Sequence, residues 1–260
     1  MNFDNILKMM CVKLNIKQKK LANNINLKEI SRGKRAFLIA TGPSIKKQDL
    51  SLLKNEDCFS ISNFFLHDKI DIICPKIHFI APYHKPLDYD NIVSVWKMAN
   101  KMLPKDTIIG LSIASKDMIE MNHIFDGRKI YYFDYEPLKR INIDLEKAIL
   151  SPQSGPIMAL PILFYMGYTE IYLIGCDGNM LKDYGKTIEN FYEKDPRKNA
   201  SDDWHDGNII SELECNLNLM KQYKAYYDYG KKNGVNLYNL SPDSWIDIIP
   251  LRKFEDVLGE

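Results

Sequence analysis

The chain has 260 residues, with 35 Lys and Arg against 34 Asp and Glu and a net charge of +1. That length can bury roughly 70–75% of the unfolded surface without staples, and the balanced charge excludes a general nucleic-acid binder, which needs a basic stripe. No stretch approaches the ~20 apolar residues of a membrane span and no signal peptide is expected; the five scattered cysteines lack paired zinc spacing and fit reduced thiols in a cytosolic protein.

Residues 1–33 stand apart. "NILKMMCVKLNIKQKKLANNINLKEI" sets apolar residues at helical spacing among Lys8, Lys13, Lys17, Lys19 and Lys20, which predicts an amphipathic basic helix. Two roles are open to it. It packs on its own domain, or residues 1–30 hold weakly to an anionic membrane surface or a partner.

From residue 34 short apolar runs alternate with helical patterns. The runs predict strands at 36–41, 58–62, 77–81, 107–112, 129–134, 170–176 and 236–240, several of them apolar on both faces, as parallel strands under helices must be. The periodic segments predict helices at about 90–103, 114–123, 155–167 and 208–232. The alternation gives an α/β fold: a single Rossmann-like, doubly wound, mostly parallel sheet spanning 34–260. The stretch from about 178 to 208 is polar and without sustained apolar periodicity. Following a strand directly, it reads as a lid over the ligand edge.

In such sheets ligands bind beyond the carboxyl ends of the strands, so the residues after each strand are the candidates. Thr41-Gly42-Pro43-Ser44 follows the first. Gly42 would let the backbone approach a ligand closely. Ser44 stands where a helix N-cap is expected, with free amides suited to an anion. It lacks the Gly-Lys-Ser/Thr of a Walker loop and the three glycines of the dinucleotide fingerprint. Gln153-Ser154-Gly155-Pro156 opens a helix apolar all round, hence buried, with Ser154 as N-cap and Pro in the first turn. Asp177 ends the last long apolar strand, either as a cap or loop carboxylate or as a ligand group. His205, flanked by Asp203 and Asp206 at the end of the lid, has the setting of a carboxylate-oriented general base. His84 is a secondary candidate, and His78 is expected in the core. Asp134 and Glu136 resemble the acidic metal pair of sugar-nucleotide transferases, a spacing that also arises by chance.

Taken in order, the Gly-Pro-Ser turn, Ser62-Asn63-Phe64-Phe65, the Ser-Gly helix start, "GYTEIYLIGCD", the polar lid, the histidine before a long helix and the closing "NLSPDS" resemble the bacterial sialyltransferases of glycosyltransferase family 42. They are also similar to the wider Rossmann-like group around that family, which contains motility-associated glycosylation factors and a hydroxymethylpterin pyrophosphokinase. The resemblance covers roughly residues 34–245. It implies a GT-A-like variant of the fold, a CMP-activated nonulosonate or related keto-sugar acid as donor, inverting transfer, and neither metal nor cofactor. Thr41, Gly42, Pro43 and Ser44 would line the nucleotide phosphate and ribose. Asn63 matches a nucleotide-contacting asparagine, Gln153, Ser154 and Gly155 a donor-binding Thr-Ser-Gly, Tyr184 a lid tyrosine holding the leaving phosphate, and His205 the general base. Asp177 and Asn179 complete the donor set, Asn179 standing where the family keeps its first lid tyrosine. Around Ala81-Pro82 the chain lacks the asparagine that the family has after the third strand. The acceptor implied is a glycan or lipid-linked glycan of lipooligosaccharide or capsule, reached from the cytoplasm or the inner membrane face; self-association stays open. Two other classes are carried beside it. One is the pyrophosphokinase, with magnesium on Asp177, Asp203 and Asp206; the other is a non-enzymatic nucleotide-sugar-binding protein in which His205 caps a helix.

Overall fold

The computed structural model describes residue 14 and residues 17–186, 189–198 and 208–259. His205, with its neighbours Asp203 and Asp206, and residues 1–13 lie outside the described residues.

Among the described residues seven strands form one parallel sheet in the order β5-β4-β3-β2-β1-β8-β9. Their bounds are β1 Arg35–Ile39, β2 Cys58–Ile61, β3 Ile77–Ile80, β4 Ile108–Ser112, β5 Ile130–Phe133, β8 Glu170–Ile174 and β9 Asn236–Asn239. Each falls within a residue or so of its apolar run, because a strand covered on both faces must be apolar at every position. The burial pattern agrees: all four residues of β2 and of β3 are buried. A two-stranded parallel ribbon, β6 (Tyr135–Glu136) and β7 (Ile149–Leu150), lies outside the main sheet and was not expected. Two residues carry no periodicity to read.

Besides the helical residues 17–22, the described residues form the α-helices α1 (Ile70–Ile73), α2 (Tyr89–Met102), α3 (Lys116–Met121), α4 (Gly155–Tyr165), α5 (Ile209–Lys232) and α6 (Phe254–Gly259). One face of the sheet, with Leu38, Phe59, Phe79 and Leu173, packs on α4 and α5; the other, with Phe37, Ile39, Ile109 and Ile174, packs on α2, α3 and α6. Helix α4 is the central pillar. All ten residues from Pro156 to Tyr165 are buried, as expected of a helix apolar all round. Helix α5 is capped by Asn208, whose Oδ1 accepts from the amides of Ile210 and Ser211.

The N-terminal segment packs on its own domain from Lys17 onward. Leu21 and Leu27 are buried, and Asn24 Nδ2 donates to the carbonyls of Tyr132 (2.9 Å) and Leu145 (2.8 Å), tying the segment to the β5 edge. Lys17 Nζ lies 2.7 Å from Asp134 and 3.5 Å from Glu136. The acidic pair read as a metal motif is therefore occupied by a lysine of the same chain. None of the described helices is long and apolar enough to cross a membrane.

The chain leaves β1 toward β5 on one side and returns to β8 and β9 on the other. The topological switch point lies between β1 and β8, where a doubly wound sheet opens its crevice.

Candidate functional site

The loop after β1 and the loop after β8 meet at that switch point, and they close on each other. Ser44 N donates to Asp177 Oδ2 (3.0 Å), and Ser44 Oγ donates to Asp177 Oδ1. Ser44 is thus no N-cap. Gly42 holds that position, Pro43 is the first helical residue, and the helix is only the 3-10 turn Pro43–Lys47. Gly42 has an ordinary φ of −62°, and its lack of a Cβ serves close packing of the two loops. A Cβ there would lie 2.5 Å from the Gly175 carbonyl oxygen and 2.7 Å from Asp177 Oδ2. The amide and hydroxyl of Ser44 are thus engaged by the chain's own carboxyl group. Burial pushes the Asp177 carboxyl above its ordinary range, and the two bonds from Ser44 offset that only in part. With both oxygens engaged by Ser44, Asp177 ties the ends of β1 and β8 together, while Asp203 and Asp206, the other members of the magnesium set, lie outside the described residues. Among the described residues no group of His, Cys, Asp and Glu gathers as metal ligands.

A cavity opens two strands away, beyond the carboxyl ends of β2 and β3. Ser62, Asn63, Ala81, Tyr83, His84 and Arg197 bring its polar and backbone groups, over an apolar floor that includes Phe65 and Trp96. Ser62 has φ +54°, a left-handed conformation that a residue with a Cβ adopts at some strain, of the kind found at ligand-binding turns. It turns the chain so that Asn63 sits at the end of β2, almost wholly buried. His84 Nδ1 lies 3.1 Å from the Lys85 carbonyl oxygen, so the secondary histidine is at the site after all.

Residues 189–198, within the stretch expected to form a lid, pack beside this cavity and put Arg197 in its wall. Phe191 N donates to the Thr41 carbonyl (3.0 Å), and Thr41 Oγ1 donates to Asn190 Oδ1 (3.2 Å). The Phe191 ring packs on Phe64 and His67, with centroids 5.9 and 5.2 Å away. Asn63 Nδ2 donates to the Tyr192 hydroxyl (3.0 Å) and to Asp195 Oδ1 (3.2 Å). Arg197 clasps Asp195 with a two-pronged fork, Nε to Oδ1 at 2.9 Å and Nη2 to Oδ2 at 2.6 Å. At its far end Asn91 of α2 donates to the Pro196 carbonyl (3.2 Å) and accepts from Lys198 N (2.6 Å). The lid therefore runs across the ends of β1 and β2 to the first turn of α2. Burial raises the Asp195 carboxyl, but the Arg197 fork outweighs it and holds the group below the usual carboxylate range. Burial, with the Asp195 charge beside it, pushes the Tyr192 phenol up to about 12.

The remaining expected residues are less convergent. Ser154 is the N-cap of α4 but its hydroxyl makes no cap bond. Gln153 is exposed, its amide donating to Gln222 Oε1 of α5 (2.7 Å). Gly155 admits Ile61, since a Cβ would meet Ile61 Cδ1 at 2.5 Å. Asn179 precedes the 3-10 turn Met180–Asp183, and Tyr184 follows it, 42% exposed. The lid tyrosine in contact with Asn63 is Tyr192, which sequence reasoning missed along with Asp195 and Arg197. The available signal was Phe191-Tyr192, adjacent aromatics within a polar stretch.

The arrangement sets polar and backbone groups over an apolar floor at the carboxyl ends of β2 and β3, with the Asn63 amide engaged by Tyr192 and Asp195. Neither a protein-family model nor a curated protein matches the chain. Among solved structures it is similar to the sialyltransferase CstII from Campylobacter jejuni in complex with the substrate analogue cytidine-5'-monophosphate. Identity is 18% over 85% of this chain and 86% of that one, with a TM-score of 0.50. It is also similar to a tyrosine-to-phenylalanine variant of the sialyltransferase CST-II in complex with CMP, at 20% identity over 84% of this chain and 86% of that one, with a TM-score of 0.50. What they share with this chain is the α/β fold, with its Rossmann-like, GT-A-like parallel sheet.

Proposed function

We propose that the chain is a glycosyltransferase that moves a sialic-acid-like residue from a CMP-activated donor to a hydroxyl of a surface-glycan acceptor. The observation that carries this reading is the cavity beyond β2 and β3, with Asn63 in its wall, at the ligand edge of a sheet whose fold is also that of two CMP-bound sialyltransferases. In this reading the nucleotide replaces Tyr192 and Asp195 as the partner of Asn63. The lid, anchored at Phe191 and Asn91, then folds over the donor and excludes water, which would otherwise hydrolyse it.

His205 is assigned as general base by the sequence resemblance. It takes the proton of the acceptor hydroxyl while that oxygen attacks the anomeric carbon. The bond from that carbon to the phosphate oxygen breaks on the opposite face, CMP departs with the electron pair, and the configuration inverts. Charge grows on the leaving phosphate, so donors already in place lower the barrier most; Tyr184 and the amides at the start of α4 are the candidates. The acceptor is a lipid-linked or cell-surface glycan met at the cytoplasmic side of the membrane; the segment from Lys17 onward packs on the domain, which leaves only the residues before it as a membrane contact.

The test is transfer from CMP-N-acetylneuraminic acid to a galactoside in the presence of EDTA. The reading expects CMP release and a sialylated product, with both lost in His205→Ala. Nucleotide binding without release of CMP from any CMP-sugar would replace it with the binding-protein reading, and magnesium-dependent consumption of ATP with a hydroxymethylpterin, abolished by EDTA, would replace it with the kinase.

A further inference from the structure

Beyond β9 the chain crosses back over the end of β8, and it is held there unusually firmly. Asn239 Nδ2 donates to the Cys176 carbonyl (3.1 Å) and to Ser244 Oγ (2.9 Å). Ser244 Oγ reaches the carbonyls of Cys176 (2.8 Å) and Asp177 (3.1 Å) and accepts from Ile246 N (3.1 Å). Cys176 N donates to Ser241 Oγ (2.8 Å), and Trp245 N donates to the Asp177 carbonyl (2.8 Å). Ile246 is 1% exposed and packs on Gly178, where a Cβ would come within 2.5 Å of it. The residues on both sides of Trp245 are therefore fixed to the end of β8.

The Trp245 side chain is nonetheless 50% exposed, whereas Trp96 is 5% exposed. Tryptophan is on average a well-buried residue, and leaving half of an indole in water forfeits apolar burial. A loose loop could move such a residue inward; here the backbone is fixed while Trp245 stays half exposed. A rigid, two-torsion aromatic held out of a fixed backbone is a pre-organised contact surface that loses little entropy on binding. Its negative π face attracts the weakly positive C–H groups on the flat side of a pyranose.

We infer that Trp245 is the platform on which the acceptor's sugar ring stacks, an inference that rests on the glycan-acceptor part of the function proposed above. Its position fits. The nucleotide cavity lies at β2 and β3, and Trp245 lies at β8 and β9, on the other side of β1. With strands about 4.8 Å apart, the centres of the two subsites are about three spacings, roughly 14 Å, apart. A donor lying across the β1 loop would present its sugar toward Trp245.

The experiment uses the full chain with CMP-N-acetylneuraminic acid as donor and lactose as acceptor, comparing wild type, Trp245→Ala and Trp245→Phe. Trp245→Ala is expected to raise the lactose KM by about tenfold or more, while the donor KM and the rate of donor hydrolysis in water stay within about twofold. Trp245→Phe, which keeps an aromatic face, should recover most of the loss. An unchanged lactose KM in Trp245→Ala overturns the inference, and so does an equal rise in the donor KM. If the wild type turns over no CMP-sugar, the proposed activity fails first and separately. Saturation-transfer NMR with methyl β-galactoside then decides the inference: transfer to the ring C–H protons, lost in Trp245→Ala and kept in Trp245→Phe, upholds it, and its absence in the wild type overturns it.

Discussion

Ser44 and Asp177 stand 133 residues apart in the chain and are joined by two hydrogen bonds, so neither could be recognised as the other's partner from local pattern. The Gly-Pro-Ser turn has the chemistry of an anion site, but its Ser44 amide and hydroxyl are engaged by the chain's own carboxyl group. Replacing Ser44 by Ala removes one bond from a buried carboxylate and should destabilise the fold by about 1–3 kcal/mol, read by urea unfolding. The pH dependence has a definite sign. A carboxyl whose folded pKa is raised binds more protons when folded, so its contribution is full below the unfolded value of about 3.9 and is lost as pH climbs through the raised one. Asp177→Asn should flatten that fall in stability just above pH 4, measured by thermal unfolding across pH. Asn63 was reached through the family resemblance, and it sits buried at the end of β2, on the ligand edge of the sheet. His84 was half legible, since the strand before it was clear but the cavity beside it needs α2 and the lid to exist.

At the scale of elements the lid is a latch with three fastenings, at Thr41, at Asn63 and at Asn91. Phe191 supplies its apolar anchor against Phe64 and His67. Phe191→Ala should therefore raise the rate of proteolytic cleavage within 189–198 several-fold while leaving the unfolding midpoint of the body little changed; an unaltered cleavage rate would show that the latch does not depend on the ring. Acid should open it too. Asp195 has a lowered folded pKa, so its contribution is present above about 3.9 and is lost as pH falls through the depressed value. Lid protection should fade below about pH 4, and Asp195→Asn should lose it already at neutral pH. The lack of apolar periodicity marked this stretch as irregular, yet it hid the contacts that residues 189–198 make. They come from single side chains whose partners sit on three different elements, and no periodic signal encodes that. The short ribbon of β6 and β7 and the 3-10 turns escaped for a related reason: each is too short to repeat the period that would reveal it.

For the whole molecule, the seven strands were readable because a parallel sheet covered on both faces must be written in runs of apolar residues. Their order was not, since order depends on which crossover goes left or right of β1. That order matters for function. It places the switch point between β1 and β8, closes it with the Ser44–Asp177 staple, and leaves the open cavity at β2 and β3 with Trp245 on the opposite flank. The N-terminal segment beyond Lys17 belongs to this body through Asn24 and Lys17, which also neutralises the acidic pair at the end of β5. The central claim is that the cavity at β2 and β3 is a cytidine-nucleotide site. The direct measurement is a thermal-shift panel of CMP, CDP, UDP, GDP and ATP on the wild type and on Asn63→Ala. A ligand at a hundredfold excess over its Kd adds about 2.7 kcal/mol to the folded state, a shift of several degrees. The account predicts that the cytidine nucleotides raise the melting temperature, that UDP, GDP and ATP do not, and that Asn63→Ala abolishes the rise. A shift with ATP or GDP instead, or a CMP shift indifferent to Asn63→Ala, would contradict it.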